Sequence, residues 1–202
     1  MTALILIDLQ NDFMPWGALP VKAGNEILPF INPLMDRFSH VFATQDWHPE
    51  DHVSFAVNHG KRPGETIEVH HETQMLWPEH CVQDTLGADL VPGINKEKIE
   101  KIFTKGIDSQ VDSYSAFFDN AKKKETGLHQ YLQKRNIKEL YFAGVATDYC
   151  VKYSVLDALE LGYKVFVIQD LCRGVDLHSG DVKRALDEMK SKGAKLILAK
   201  AI

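Results

Sequence analysis

The chain has 202 residues, of which 45% are apolar and 25% charged, and its formal net charge is −5. This length is typical of one domain, and a negative net charge without a basic stripe disfavours nucleic acid or an anionic membrane as the main partner. Three widely spaced cysteines do not resemble a disulfide framework, and free thiols are typical of a reducing compartment. We therefore predict one cytoplasmic domain over residues 1–202, and the sequence leaves association with further copies of the chain open.

The first part of the chain contains two predicted strands, each followed by polar side chains. Residues 3–7 form a continuous aliphatic run, typical of a strand buried on both faces, and the run ends at Asp8. Residues 27–38 carry apolar residues at roughly helical spacing. Residues 41–44 predict a second buried strand, which leads into Asp46 and His48.

Residues 49–95 differ from the rest in their composition, because prolines and histidines are frequent and hydrophobic periodicity is weak. A long segment without clear elements is more typical of a functional excursion than of a linker. We predict a loop-rich insertion that carries part of a metal site. The candidate ligands within it are His52, His59, His70, His71 and His80.

In the second half of the chain, apolar strands alternate with amphipathic helices. This alternation predicts an α/β fold with a mostly parallel central sheet and helices on both faces. Active sites of such sheets lie beyond the carboxyl ends of the strands. Four chemically versatile residues follow predicted strands, namely Asp8, Asp46, Lys105 and Cys150. The predicted strands here cover residues 98–103, 140–143, 164–168 and 195–198, and the predicted helices cover 126–135 and 180–192, with a third that begins at Thr147.

Cys150 falls in the first turn of the helix that begins at Thr147, which Thr147 or Asp148 can cap. A helix N-terminus favours a thiolate, so we expect a lowered pKa and a nucleophilic sulfur. A free cysteine is also often a small buried apolar residue, and this alternative stays open. If Asp8 and Lys105 lie beside the sulfur, Asp8 can accept the thiol proton while Lys105 stabilises negative charge. Asp8 can instead orient a loop, and Lys105 can be a surface lysine.

Asp46 and His48 are two residues apart at the end of a strand, where both side chains point the same way. With a third ligand from the insertion, they would form an open carboxylate–imidazole site for zinc, iron or manganese. The Asp-Trp-His motif is weak by itself, because an exposed histidine at a strand end gives the same pattern.

Seven motifs, in this order along nearly the whole chain, resemble the nicotinamidase (pyrazinamidase) group of the isochorismatase-like hydrolases. They are LILIDLQNDF, DWHPEDHVSFA, LWPEHCVQDT, FTKG, DSYSAFFDN, GVATDYCV and DLCRGV. The resemblance implies a three-layer α/β/α, Rossmann-like fold with a cis peptide bond at residues 145–146. It also implies a catalytic triad of Asp8, Lys105 and Cys150, with Cys81 and Cys172 as packing residues. One divalent metal ion, zinc in the first place and iron or manganese as alternatives, would be held by Asp46, His48 and His80, with His52 as an additional ligand in some relatives.

The activity that this resemblance implies is hydrolysis of nicotinamide, and also of pyrazinamide, through a cysteine thioester in NAD salvage. Phe13, Trp77 and Tyr114 are expected to line the substrate pocket, and the backbone N–H groups of Ala146 and Cys150 to bind the oxyanion. The nearest alternative is a cysteine amidase for another small amide or N-carbamoyl compound, which would not need the metal site. Vinyl-ether hydrolysis would not need Cys150, and an inactive scaffold would usually have lost one of these residues.

Overall fold

The computed structural model describes residues 1–69 and 72–202 of the chain. Eight strands and four α-helices are joined in these residues by loops and short turns. The strands are β1 (Thr2–Ile7), β2 (Val41–Asp46), β3 (Thr66–Val69), β4 (Glu72–Met75), β5 (Lys101–Lys105), β6 (Glu139–Val145), β7 (Lys164–Arg173) and β8 (Lys195–Ile197). The helices are α1 (Leu28–Met35), α2 (Leu128–Lys134), α3 (Lys152–Glu160) and α4 (Asp181–Ser191). None of the helices in these two ranges is both long enough and apolar enough to cross a membrane.

Six of the strands form one parallel sheet in the order β5-β2-β1-β6-β7-β8. β1 lies inside the sheet, where Ile5 pairs with Phe42 of β2 and Phe142 of β6. Its residues from Ala3 to Ile7 are all buried, as expected for an aliphatic run that is covered on both faces. The other two strands, β3 and β4, form a separate antiparallel hairpin.

Helices cover both faces of the sheet and complete a three-layer α/β/α architecture. Successive side chains of a strand point to opposite faces, so β1 contributes Leu4 and Leu6 to one apolar cluster and Ile5 and Ile7 to the other. The predicted α/β class and mostly parallel sheet are therefore confirmed. The helices join these clusters through Ile31 and Leu34 of α1 on the first face, and through Leu132 of α2, Val155 of α3 and Met189 of α4 on the second.

β5 begins later than predicted, and this shift matters for the site. The sequence predicts a strand over residues 98–103, but Lys96–Lys98 form a 3₁₀ turn that the Asn95 side chain caps. Because the strand starts after this turn, Lys105 is its last residue and pairs with Asp46, the last residue of β2. The register therefore places both side chains at the carboxyl edge of the sheet. β7 is also longer than predicted, because a register shift against β6 lets the pairing continue past residue 168.

A π-helical turn, Thr147–Val151, joins β6 to α3 and carries Cys150. We call it the cysteine turn. The sequence predicts an α-helix from Thr147 with a side-chain cap from Thr147 or Asp148, and both features of this prediction are wrong. The residue before the turn is Ala146, whose backbone is extended, and no side-chain hydrogen bond caps the turn. The α-helical part, α3, starts only after Cys150.

The described part of residues 49–95 contains the β3–β4 hairpin and otherwise consists of turns and loops. Among the candidate metal ligands, His52 and His80 are buried, whereas the ring of His59 binds the backbone carbonyl of Val53 at 2.8 Å. The predicted candidates His70 and His71 lie outside the described residues.

Candidate active site

The carboxyl ends of the central strands bring the predicted triad residues together. Asp8 follows β1, Lys105 ends β5, and Cys150 lies in the turn after β6, and their relative exposures are only 0%, 2% and 6%. The Asp8 backbone has a φ of 48°, in the left-handed region that aspartate tolerates better than most residues. The hydroxyl of Thr44 donates to Asp8 Oδ1 at 2.6 Å and accepts the Asp8 N–H at 3.2 Å. These contacts fix the orientation of the carboxylate.

The Lys105 ammonium lies between the carboxylates and the sulfur. Its Nζ is 2.9 Å from Asp8 Oδ2 and 3.4 Å from Cys150 Sγ, and it donates to the Ser113 carbonyl at 3.2 Å. It also forms an ion pair with Asp46 Oδ1. Asp8 Oδ2 contacts the ammonium, but the geometry is not that of a hydrogen bond. This oxygen can therefore still accept a proton. Carboxylate oxygens of Asp8 and Asp46 lie within 4.8 Å of the sulfur and of each other.

Burial dominates the electrostatics of this cluster. Burial raises the pKa of the Cys150 thiol well above its ordinary value, although the Lys105 charge acts in the opposite direction. The predicted lowering of this pKa is therefore wrong, because desolvation outweighs the attraction of the nearby Lys105 charge, and the sulfur needs a base. Burial also disfavours the charge of Lys105, but the attraction of Asp46 and Asp8 prevails and raises its pKa well above the ordinary range.

Beside the triad, Asp46, His48 and His80 offer three ligand atoms within 4.8 Å of one another. The Nδ1 atoms of His48 and His80 lie 2.9 and 2.7 Å from the carbonyls of Gly106 and Pro78, to which they donate. Each Nε2 is thereby left for a metal ion, and His48 Nε2 faces Asp46 Oδ2 at 3.7 Å. This buried carboxylate–imidazole set suits a divalent metal ion.

The ionisation of these three groups supports the same conclusion. Burial lowers the pKa of His48 well below its usual value and that of His80 to about 4, so both imidazoles are neutral, the form that binds metals. Burial raises the pKa of Asp46 to about 8, despite the opposing attraction of Lys105. Burying the charged Asp46 carboxylate costs free energy, and a bound cation would compensate for that cost.

His52 lies against this set but is arranged differently. Its ring stacks on that of His48 with centroids 4.1 Å apart, and its Nδ1 accepts the Ser54 N–H at 3.3 Å. The same Nδ1 lies 2.7 Å from the Ser54 hydroxyl, whereas Nε2 has no hydrogen-bond partner among the described residues. His52 is not part of the group that Asp46, His48 and His80 form. His48, His52 and Asp112 nevertheless form a second group of ligand atoms within 4.8 Å.

A cavity opens onto Cys150, and the three predicted pocket residues line it. Trp77 Nε1 donates to the Tyr114 hydroxyl at 3.1 Å, and Phe13 packs against the ring of His80 with centroids 5.6 Å apart. Ala146 also lines the cavity, and its peptide bond with Val145 is cis, as the resemblance implies. The candidate metal ligands and the sulfur thus face the same cavity, whose walls are aromatic.

Sequence reasoning missed four residues that line this cavity, namely Leu19, Asp112, Tyr149 and Val175. Tyr149 directly precedes Cys150 and packs edge-on against Trp77 at 4.9 Å. Asp112 is buried, and its Oδ2 accepts a hydrogen bond from Gln74 Nε2 at 2.8 Å. Asp112, Tyr149 and Val175 stand within motifs that carry the family resemblance, which was the available signal, whereas Leu19 stands outside them. No spacing rule places any of the four in the pocket.

A parallel α/β sheet with a buried thiol, lysine and carboxylates at its carboxyl edge is the architecture of an α/β enzyme rather than of a simple binding module. Residues 2–201 match the model of the Isochorismatase domain. The chain belongs to the isochorismatase family.

Curated relatives and solved structures agree with this assignment. The chain is 48% identical to the nicotinamidase of Escherichia coli over 198 residues, which cover 96% of this chain and 93% of the relative. A nicotinamidase/pyrazinamidase from Acinetobacter baumanii has a TM-score of 0.96 at 43% identity and covers 99% of this chain and 97% of its own. The yeast nicotinamidase bound to the inhibitor nicotinaldehyde has a TM-score of 0.93 at 36% identity, with coverages of 98% and 100%. The pyrazinamidase of Pyrococcus horikoshii in complex with zinc has a TM-score of 0.80 at 37% identity, with coverages of 98% and 98%.

Proposed function

We propose that the chain hydrolyses nicotinamide to nicotinate and ammonia, and pyrazinamide to pyrazinoate, through a thioester on Cys150. The observation that carries the proposal is the contact of the Lys105 ammonium with both the Asp8 carboxylate and the Cys150 sulfur, beside an aromatic-walled cavity. The relatives support this substrate in two ways. They are named nicotinamidases, and one solved relative is bound to the inhibitor nicotinaldehyde.

In the first half of the reaction, the buried thiol gives its proton to Asp8 Oδ2, and the sulfur attacks the carboxamide carbon. The C–S bond forms while the carbonyl oxygen becomes an oxyanion, which the backbone N–H groups of Ala146 and Cys150 receive; each such donor is worth about 3 kcal/mol. Asp8 then returns the proton to the amide nitrogen, the C–N bond breaks, and ammonia leaves a thioester behind.

In the second half, Asp8 accepts a proton from water as the water oxygen attacks the thioester carbon. The C–S bond breaks, the proton held by Asp8 returns to the sulfur, and the carboxylic acid product gives its remaining proton to solvent as nicotinate is released. Lys105 remains charged throughout and stabilises the negative charge that passes between Asp8 and Cys150.

Asp46, His48 and His80 would hold one divalent metal ion, with zinc as the proposed metal and iron or manganese as alternatives. When bound, the ion supplies a Lewis-acid position that orients the pyridine nitrogen directly or through water. The buried charges fit a divalent cation, because the carboxylates of Asp8 and Asp46 both face one ammonium, that of Lys105, which leaves one formal negative charge. We leave His52 out of this proposed set because it belongs to a second group of ligand atoms, with His48 and Asp112.

An amidase for N-carbamoyl compounds would need the triad but not the buried carboxylate–imidazole set. That set and the aromatic wall therefore favour a ring amide whose nitrogen can be oriented from the metal side.

The test is ammonia release from nicotinamide by the wild type, Cys150→Ala and Cys172→Ala, each before and after chelation. Cys172 is a matched control, because it is also a buried free thiol but does not line the cavity. We expect Cys150→Ala to lose the activity, Cys172→Ala to retain it, and chelation to lower it reversibly. If the metal-restored wild type releases no ammonia, the proposal is wrong and N-carbamoyl substrates become the next candidates.

A further inference from the structure

Asp148 lies two residues before Cys150, and its carboxylate binds a loop from a distant part of the chain. Its Oδ1 accepts the Val175 N–H at 2.9 Å, and its Oδ2 accepts the Asp176 N–H at 2.8 Å. The residue is only 5% exposed. Hydrogen bonds to an ionised acceptor are stronger than neutral ones, so a carboxylate that binds two successive peptide groups fixes their position firmly.

The bound loop, residues 173–176, has little freedom on its other side. A Cβ on Gly174 would lie 2.2 Å from Val182 Cγ2 and 2.8 Å from Asp148 Oδ1, so only glycine fits without displacement. Asp176 Oδ1 accepts the Val182 N–H at 3.2 Å, which joins the loop to the first turn of α4. The loop is therefore held in place by contacts with the cysteine turn on one side and α4 on the other.

Val175 is the residue of this loop that lines the active-site cavity, together with Ala146, Tyr149 and Cys150. Tyr149 and Cys150 belong to the cysteine turn, and so does Asp148. A single carboxylate thus links the turn that presents the sulfur to a wall of the cavity contributed by the loop after β7. This link also explains the DLCRGV motif, whose last residue is Val175 and which the triad and the metal site leave without a role.

We propose that Asp148 is a positioning residue that holds Val175 at a fixed distance from the cysteine turn, and so restricts the cavity to carboxamides of a single planar six-membered ring. Asp148 acts through Val175 and does not contact the reacting atoms. The identity of the ring rests on the proposed function. The restriction itself rests on the hydrogen bonds from Asp148 to the loop and on the place of Val175 in the cavity wall, and we expect it to disfavour bicyclic aromatic amides.

The first experiment compares Asp148→Asn, Val175→Ala and the double variant. Asparagine keeps the size of the side chain but turns an NH₂ group toward one of the two backbone N–H groups. For both single variants we expect the KM for nicotinamide to rise roughly tenfold, with kcat nearly unchanged, because substrate contact is lost equally in the ground and transition states. The ratio of kcat/KM for nicotinamide to kcat/KM for quinoline-3-carboxamide should fall. The double variant should be no worse than either single variant, because both changes remove the same wall.

Two further variants keep the proposal testable if Asp148→Asn fails to fold. Gly174→Ala displaces the loop while leaving the carboxylate intact, and it should reproduce the KM effect. Asp187→Asn removes a surface carboxylate of α4 that pairs with Lys183 and should change neither constant. Additive effects in the double variant, or a loss of kcat and stability without any change in KM, would overturn the role of Asp148.

The second experiment does not use the substrate. The rate of Cys150 alkylation is measured by peptide mass spectrometry with a small reagent, iodoacetamide, and a bulky one, N-phenylmaleimide. In Asp148→Asn and Val175→Ala the ratio of the bulky to the small rate should rise above that of the wild type, whereas an unchanged ratio contradicts the proposal. If the wild type releases no ammonia, the proposed function fails, but this ratio still decides whether Asp148 sets the width of the cavity.

Discussion

Gly106 shows how an absent side chain can position a proposed metal ligand, His48. Its carbonyl orients the His48 ring, and a Cβ at this position would lie 2.3 Å from His48 Cε1. Its φ of +64° also lies in the region that favours glycine. Gly106 therefore fixes the orientation of the His48 ring without being a ligand itself.

We predict that Gly106→Ala weakens metal binding by about 10- to 100-fold, the range found when outer-shell partners of metal-bound histidines are changed. The readout is metal affinity from competition with a chromophoric chelator. Gly127→Ala is the matched control, since Gly127 also has a positive φ, +88°, but has no atoms within 4 Å of its Cβ position. Equal affinities of the two variants would show that backbone strain alone, and not the contact with His48, explains any effect.

Lys105 is the second residue whose surroundings define its role, because it neutralises Asp8 and Asp46 in the buried cluster. We predict that Lys105→Met abolishes ammonia release and lowers the free energy of unfolding by roughly 3–5 kcal/mol, since it leaves buried carboxylates uncompensated. Adding Asp8→Asn should restore part of that stability but none of the activity. Urea unfolding at neutral pH measures both variants, and a double variant whose losses simply add would contradict this account.

At the scale of elements, the sequence predicts the existence and order of the main strands and helices better than their ends. Continuous aliphatic runs identify β1 and β2 because both faces of these strands are buried. The start of β5 could not be read from hydrophobicity, because the Asn95 cap creates a turn within an otherwise strand-like sequence. The π-helical form of the cysteine turn was equally hidden, since its apolar spacing also fits an α-helix.

Thr147 provides a test of how this turn begins. Its buried hydroxyl has no hydrogen-bond partner among the residues that the structure describes. Thr147→Val is therefore expected to raise the free energy of unfolding by about 1 kcal/mol, because an unsatisfied buried hydroxyl is removed and the branched shape is kept. If Thr147 instead capped a helix, the same change would lower stability by about 1 kcal/mol.

Thr44→Val is the contrasting variant for the same urea titration, since the Thr44 hydroxyl makes two hydrogen bonds to Asp8. It should lower the free energy of unfolding by about 1–3 kcal/mol, because Asp8 loses both hydrogen bonds to the Thr44 hydroxyl. Changes of the same sign in the two variants would contradict the assignment of Thr147 as unpartnered.

At the scale of the whole molecule, the predicted family and fold are confirmed, while the triad, the ligand set and the pocket remain predictions about chemistry. The strand ends could be predicted to converge, because parallel strands share one carboxyl edge. The contact of Asp148 with Val175 could not, because it joins residues 27 positions apart through loop backbone that carries no periodic signal. Likewise, burial reversed the expected pKa direction at Cys150, and burial depends on the assembled fold rather than on local sequence.

The three thiols lie in different parts of the chain and are all buried, so the protonation of thiols should couple to global stability. Burial raises the pKa of Cys172 to about 12, from about 9 for an accessible thiol. Between these values the unfolded chain loses this proton and the folded chain keeps it. The stabilisation is therefore complete below about pH 9 and is lost as pH rises toward 12, at about 1.4 kcal/mol per pH unit.

The variant Cys172→Ala tests this window by urea titrations at a series of pH values. We expect the variant to be less stable than the wild type at pH 8. Between pH 9 and 11, its free energy of unfolding should fall less steeply than that of the wild type, by about 1.4 kcal/mol per pH unit. Parallel declines in the variant and the wild type would mean that Cys172 ionises as readily in the folded protein as in the unfolded chain.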